Sequence, residues 1–291
     1  MSIIDDIKHQ FRTGNLLMQL IYVNASVFVV FVILKLIGFL FQIGLAETIF
    51  HWLKLPSNIE SLVFKPWTLI THMFTHTDPL HLLFNMITLF FSGQIFLGYL
   101  NSKQLLSAYI LGGFSGATLF IFALNVFPAF DGINGVAVGA SAAILSILVA
   151  IAAVVPNQLI QLTFIGPVKL KYIAGFFVLI DLVFLPGGNA GGHIGHLGGA
   201  IYGLFYGMKI KGGVDTTVNF IGWIQNVKKA FQMKSNVKVV HRDTQSDENF
   251  NERKVNKEKE VDAILDKISK SGYESLTASE KELLFKISKD I

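Results

Sequence analysis

Long apolar runs separated by short polar clusters dominate the middle of the chain, and most charged residues lie near its two ends. An apolar run of about 20 residues is long enough to cross a bilayer as a helix. The runs predict six membrane helices, with approximate bounds of 22–46, 78–100, 105–127, 139–155, 172–185 and 192–208. The sequence therefore predicts an all-α polytopic membrane protein in which six transmembrane helices form a bundle.

Local signals support the boundary of the second helix and the loop before it. Asp78 supplies an N-cap carboxylate, and Pro79 suits the first helical position, so a helix should begin there. Residues 47–77 are too often interrupted by charge and proline to cross a membrane. We expect them to form a structured interfacial loop in which Trp52 and Trp67 lie at the level of the lipid headgroups.

Glycines at four-residue spacing predict close helix contacts. Gly112 and Gly116 lie one turn apart in the third predicted helix, and four glycines in the sixth repeat in the same way: Gly195, Gly199, Gly203 and Gly207. Small residues let helix backbones approach closely in bilayers. The sixth helix should therefore pack tightly against the fourth.

The chain divides into four segments by composition. Residues 1–21 form an N-terminal cytoplasmic or interfacial segment without the features of a signal peptide, and residues 22–212 form the membrane domain. Residues 213–257 predict a basic amphipathic helix on the inner leaflet followed by a polar linker. Residues 258–291 predict a soluble, cytoplasmic helical hairpin with a capping box beginning at Thr277, and its partner is unknown.

Composition narrows the functional classes. Apolar residues make up 52% of the chain and charged residues 15%, and the mean hydropathy is +0.54. The chain has no cysteine, which excludes disulfides and thiolate chemistry, and its net charge of +4 gives no reason to expect a nucleic-acid partner. Lys and Arg favour the N-terminal segment and alternate loops, so both termini should be cytoplasmic. We expect a multi-pass protein of a bacterial inner membrane.

Polar side chains lie near one end of three predicted helices: His81 and Asn85 in the second, Ser141 in the fourth and His196 in the sixth. Such groups are costly in hydrocarbon unless they have partners or a function, and here they share the outer end of the bundle. A serine at a helix start lies among unpaired N–H groups that stabilise an oxyanion. A histidine from another helix can accept its proton, which indicates acyl transfer. His81 and Asn85 share one helix face and can direct two donors at the same oxyanion.

These motifs resemble the rhomboid family of intramembrane serine proteases. His81-x-x-x-Asn85 is similar to the family's second-helix motif, Gly139-x-Ser141 to its fourth-helix motif, and His196 with the glycines after it to its sixth-helix motif. The resemblance implies a rhomboid-like six-helix bundle around a water-filled cavity. It also implies Ser141 as nucleophile, His196 as general base, and His81, Asn85 and the Ser141 N–H as oxyanion donors. No cofactor or metal is expected, and the substrates would be transmembrane proteins in the lipid bilayer.

Two positions depart from the family pattern. Ala142 follows the nucleophile where the family usually has Gly, and Thr68 follows Trp67 where many members have Arg. Lys65 is a candidate partial replacement for that Arg. Alternative functions are therefore a catalytically inactive, rhomboid-like chaperone that binds membrane proteins, and a membrane transporter or metal-binding protein.

Other ionisable residues allow more than one interpretation. His193 lies about one turn nearer the solvent than His196 and is expected to be a loop or interfacial residue rather than the base. His72 and His76 have a metal-ligand spacing, but no carboxylate or cysteine accompanies them. Asp181 should have a partner within the membrane. It could orient His196 as a third catalytic member, although the family normally uses a Ser–His dyad, or it could form a structural hydrogen bond or be protonated.

Overall fold

The computed structural model describes residues 15–218, 220–222, 263–272 and 275–281. The chain forms two compact units, Met1–Phe231 and Gln232–Ile291. Several predicted features lie outside the described residues: the segment 1–14, most of the basic amphipathic helix, the polar linker, and residues 282–291 of the second hairpin helix.

Helices make up most of the first unit. Their bounds are α1 Leu16–Phe41, α2 Leu45–Leu53, α3 Ile59–Phe64, α4 Thr68–Thr71, α5 Pro79–Tyr99, α6 Ser102–Val126, α7 Ser141–Val154, α8 Leu170–Phe184 and α9 Ala190–Lys211. Short 3-10 turns occupy His72–Phe74 and Pro128–Phe130, and the strands are β1 Leu55–Pro56, β2 Val136–Ala137, β3 Leu159–Leu162 and β4 Gly166–Lys169. The helices α1 and α5 to α9 correspond to the six predicted membrane helices.

The bundle has the character of an all-α polytopic membrane protein. Within the described residues, α1, α5 and α6 are each long and apolar enough to cross a membrane. Large apolar side chains such as Phe39, Phe84 and Phe176 are exposed on the outside of the bundle, where lipid can cover them. The helix α7 has only 14 residues, about 21 Å of rise, but Ala142–Ala152 is buried by its neighbours. It is the central helix of the bundle.

The tight packing of α9 against α7 was predicted from the glycines and is confirmed. A side chain at Gly199 would collide with the carbonyl group of Ala142, and Gly203 and Gly207 meet the next two turns of α7 in the same way. Gly195 differs, because it faces the backbone of Gly116 on α6. The backbone contacts at Gly199, Gly203 and Gly207 form a seam that fixes the position of α9 along α7.

The first helix begins at Leu16, six residues before the predicted start. The side chain of Asn15 caps it by accepting a hydrogen bond from the Met18 N–H at 3.1 Å. Leu17 and Leu20 are buried in the core of the bundle. Residues 16–21 therefore belong to the membrane helix rather than to a surface segment.

The loop between α1 and α5 is structured, as predicted, and its parts are tied together by side chains. The Trp52 and Trp67 rings stack with centroids 5.7 Å apart, and the Trp67 Nε1–H donates to the Trp52 carbonyl at 2.9 Å. Lys65 is buried, with Nζ 2.9 Å from His51 Nε2 and 3.2 Å from the His51 carbonyl oxygen. Lys65 thus anchors this loop, which is the role suggested for it in place of the missing Arg.

Two short antiparallel strand pairs lie at the ends of the bundle. β1 pairs with β2, with Leu55 opposite Ala137 and Pro56 opposite Val136, so the loop before α5 is joined to the segment that leads into α7. The region predicted as a linker between the fourth and fifth helices is instead a hairpin of β3 and β4. That hairpin was missed because Pro167 interrupts its second strand.

The described part of the second unit contains the first predicted helix and the start of the second. One helix covers residues 263–271 and is followed by Gly272 at a φ of 77°, and another begins at residue 278. The predicted capping box is present: the Thr277 N–H donates to the Glu280 carboxylate at 2.7 Å, and the Glu280 N–H to the Thr277 hydroxyl at 3.4 Å. Hydrogen bonds to its carboxylate lower the pKa of Glu280 to about 2; the bond from the Thr277 N–H has the largest effect and the bond from Lys267 the next largest.

Candidate active site

The central feature of the site is a bond between a serine and a histidine on neighbouring helices. Ser141 is the first residue of α7, and its Oγ lies 2.6 Å from Nε2 of His196 on α9. The two residues meet because the backbones of α7 and α9 touch at Gly199, less than one turn beyond His196. The structure therefore brings together the residues that the sequence suggested as nucleophile and base.

The segment before Ser141 is held by the loop that precedes α5. The Gly139 N–H donates to the carbonyl of His72 at 2.8 Å, and the Ala140 N–H donates to Nε2 of His76 at 3.3 Å. Gly139 has a φ of 111°, a conformation that side-chain-bearing residues rarely adopt. Sequence reasoning missed this contact, since a four-residue spacing of histidines suggested only a metal site.

His72 and His76 are neutral anchors in this arrangement. His72 Nδ1 lies 2.8 Å from the carbonyl of Thr68, and both histidine side chains are buried. Burial lowers the pKa of His72 and of His76 to about 4, because the charged imidazolium loses its hydration. His72 Nδ1 and His76 Nε2 thus each contact a backbone group, and both rings hold the segment around Ser141 in place.

His81 and Asn85 lie beside the nucleophile, on the inner face of α5. The His81 ring packs against Gly139, and a Cβ at that glycine would lie 2.7 Å from its Cε1 atom. The buried Asn85 amide donates one N–H to the His81 carbonyl at 2.9 Å, which leaves its second N–H for another acceptor. Both residues line a cavity of about 290 Å³ together with Ser141 and His196.

A second cavity, of about 390 Å³, opens on the other side of Ser141. Its walls include His72, His81, His196 and the backbone from Val136 to Gly139. Ser141 thus lies at the junction of two cavities.

Asp181 on α8 contacts the ring nitrogen of His196 that does not face Ser141. Its side chain is buried, and its Oδ1 lies 2.8 Å from Nδ1 of His196 and 2.8 Å from Nδ1 of His193. His193 is therefore part of α9 and of this cluster, rather than the loop or interfacial residue expected from the sequence. The candidate ligand atoms of these three residues lie within 4.8 Å of one another, a spacing that a metal can also use. Two N–H donors on one carboxylate oxygen already account for the arrangement.

The geometry fits acyl transfer through a serine. With the hydrogen of His196 on Nδ1, its Nε2 carries a lone pair directed at the Ser141 hydroxyl. The first N–H groups of α7 have no partners within the helix and lie at the positive end of its dipole. His81 and Asn85 border the same space. The site therefore places a serine hydroxyl, an imidazole and candidate N–H donors around one space.

Comparison with known proteins agrees with the motifs. The sequence model of the rhomboid domain family matches residues 63–212, slightly more than half of the chain, and this range holds every residue of the site. A family of unknown function, DUF6576, matches residues 244–290. Presenilin-associated rhomboid-like protein A, mitochondrial, from Danio rerio is 28% identical over 143 residues, which cover 47% of this chain and 36% of that protein.

Proposed function

Because the chain belongs to the rhomboid family, as the match over more than half of its length shows, we propose that it is an intramembrane serine endopeptidase. It cleaves single-span membrane proteins near the outer boundary of the bilayer. The observation that carries this proposal is the 2.6 Å contact between Ser141 Oγ and His196 Nε2, with oxyanion donors beside it.

The proposed reaction follows the chemistry of a serine nucleophile. Ser141 Oγ attacks the carbonyl carbon of the scissile peptide while His196 Nε2 takes its proton. The Ser141 N–H, His81 and Asn85 stabilise the oxyanion that forms, and His196 returns the proton to the leaving amine. Water then attacks the acyl-enzyme with His196 again as base, which releases the new carboxyl end and restores Ser141.

The substrate class follows from where the site lies. A peptide carbonyl inside a membrane helix is hydrogen-bonded and shielded, so the scissile segment has to unwind before attack. Membership of the rhomboid family implies substrates with helix-weakening Gly, Pro or polar residues and a small residue before the cut. On the distribution of Lys and Arg, we place both termini on the cytoplasmic side of the membrane, with cleavage on the opposite side. As expected in the sequence analysis, the membrane that we propose is a bacterial inner membrane.

The two departures from the family pattern are compatible with activity. The methyl group of Ala142 fits against α6 because the residue facing it is Gly116, and a Cβ at Gly116 would lie 2.6 Å from it. The loop that carries Thr68 is anchored by Lys65. Neither departure removes a group that takes part in the proposed reaction.

The test is cleavage of a panel of tagged single-span substrates in proteoliposomes by the full chain. We expect the parent protein to cut and to react with a fluorophosphonate, and Ser141→Ala and His196→Ala to abolish cutting. Ser146→Ala is the matched control, because Ser146 is a buried serine on the same helix that donates to the Ala108 carbonyl instead of a histidine. It should retain cleavage.

The outcomes separate the proposed protease from the alternatives. A parent protein that binds the substrates but neither cuts them nor reacts with the fluorophosphonate is a non-cutting chaperone. Transport or metal binding that is lost in His196→Ala and retained in Ser141→Ala indicates a membrane transporter or metal-binding protein. Either result would overturn the proposal.

A further inference from the structure

The cluster around Asp181 carries an inference that rests on the proposed function. We propose that Asp181 is a positioning residue for His196, and that His193 holds Asp181 in place. The site would then be a Ser141–His196–Asp181 triad supported by a second histidine. This differs from the Ser–His dyad that the family resemblance implies.

The first step of the argument concerns the tautomer of His196. A neutral imidazole carries its hydrogen on one nitrogen and a lone pair on the other. Asp181 Oδ1, at 2.8 Å from Nδ1, is an acceptor and therefore fixes the hydrogen there. Nε2 must then present its lone pair to Ser141 Oγ, as a general base requires. Without the carboxylate, the opposite tautomer would donate to the hydroxyl group and could not accept its proton.

The second step concerns charge. When His196 takes the serine proton it becomes a cation, and a carboxylate in hydrogen-bond contact stabilises that cation. Asp181 lies on α8, whereas Ser141 and His196 lie on α7 and α9. Three helices thus each contribute one member of the chain of hydrogen bonds.

The third step concerns the carboxylate itself. Asp181 is only 5% exposed, and a buried carboxylate is costly unless N–H groups satisfy it. His193, one turn before His196 on α9, supplies the second donor to the same oxygen. The His193 ring also stacks on Phe184 of α8, with centroids 6.3 Å apart. His193 thereby fixes the orientation of Asp181 relative to both helices.

A purely structural role makes different predictions. If Asp181 only joined α8 to α9, its removal would lower stability while the folded fraction kept its turnover rate. A positioning role acts on the transition state, so it lowers kcat more than it raises KM. The two roles are therefore distinguishable in kinetic measurements.

The kinetic test compares variants of the full chain in detergent or proteoliposomes. Asp181→Asn keeps the shape but replaces the charged carboxylate with a neutral amide, whose N–H groups can face Nδ1 of His196. We expect kcat to fall by roughly 10²–10⁴-fold, as for loss of the carboxylate in a serine-protease triad, with KM nearly unchanged. Asp181→Glu should recover part of the rate. His193→Asn places an amide nitrogen near the original Nδ1 and should retain most of the rate, whereas His193→Leu removes the donor and should lose more of it.

A second readout does not depend on turnover. The ¹⁵N spectrum of histidine separates a nitrogen that carries hydrogen from one that carries a lone pair, and it can be recorded on the inactive Ser141→Ala protein. We expect the hydrogen of His196 on Nδ1 when Asp181 is present, and a shift toward Nε2 in a protein that also carries Asp181→Asn.

The outcomes test the two proposals separately. A folded Asp181→Asn protein with the kcat of the parent, or a His196 hydrogen on Nε2 beside an intact Asp181, would overturn the positioning role. If the parent protein shows no cleavage and no fluorophosphonate reaction, the proposed protease function fails. The ¹⁵N spectrum then still decides whether Asp181 sets the tautomer of His196.

Discussion

The substitution Gly199→Ala tests whether the close contact between the backbones of α7 and α9 sets the geometry of the site. A methyl group at residue 199 would lie well inside van der Waals contact with the backbone carbonyl of Ala142. Backbone atoms cannot rotate away as a side chain can, so the two helices would have to move apart by about 1 Å to restore ordinary contact. That movement displaces His196 relative to Ser141.

The expected magnitude combines two opposing terms. Alanine is favoured over glycine in a helix interior by about 1 kcal/mol, whereas overpacking in a well-packed core costs about 1–3 kcal/mol. The difference between these terms is about 0–2 kcal/mol. Because the clash is with a backbone carbonyl, we expect the upper half of that range, a net loss of about 1–2 kcal/mol in the free energy of unfolding. For a membrane domain of this size the melting temperature would fall by about 2–8 °C. A displacement of about 1 Å between reacting groups can lower the rate by about 100-fold.

The assay is thermal unfolding in detergent alongside cleavage of a transmembrane substrate. Gly175→Ala on α8 is the matched control, since a Cβ at Gly175 meets no atom within 4 Å. It should raise the melting temperature by about 2–4 °C, through the helix preference of alanine alone, and keep its activity. If Gly199→Ala is as stable and as active as Gly175→Ala, the backbone contact at this seam does not set the geometry of the site.

Three further outcomes are expected. Lys65→Met should lower the melting temperature by several degrees, because it breaks buried hydrogen bonds worth about 1–3 kcal/mol. Lys103→Met, at an exposed position, should leave it unchanged. Equal melting temperatures for the two variants would exclude an anchoring role for Lys65. The free energy of unfolding should fall as the pH drops from 6.5 to about 4, because the buried His72 and His76 are neutral in the folded protein and take up protons more readily when it unfolds. A His76→Gln protein with the same pH dependence of stability would contradict this. EDTA should leave cleavage unchanged, because hydrogen bonds to Asp181 already occupy Nδ1 of His193 and of His196. A loss of activity with EDTA that zinc restores would show a metal at these three residues.

Sequence patterns predicted the helices well where a boundary is encoded locally. Asp78 and Pro79 predicted the start of α5, and Asp78 does cap the helix through the His81 N–H at 2.8 Å. The start of α6 was placed at residue 105 instead of Ser102, because the capping box between Asn101 and Gln104 was not recognised. The two missed helix starts lie at asparagine caps, Asn15 and Asn101, that precede the apolar runs from which the boundaries were predicted.

The site was only partly predictable for a related reason. Ser141, His81, Asn85 and His196 could be named because each belongs to a short motif within one helix. The contact between Asp181 and His196 was only one of three alternatives for Asp181, because it joins two helices and no spacing in the sequence encodes which acceptor a histidine nitrogen meets. The roles of the loop residues His72 and His76 likewise depend on a distant backbone segment, so their spacing alone suggested a different chemistry.

The contact between Ala142 and Gly116 has a consequence for how related sequences vary. The methyl group at 142 occupies space that exists because residue 116 has no side chain. The volume available is therefore shared between the two positions. A side chain at 116 would also lie 2.6 Å from the backbone carbonyl oxygen of Gly195. Among homologues we therefore expect glycine to be kept at 116 whether residue 142 is glycine or alanine, so that residue 142 varies between these two small residues while the one facing it does not.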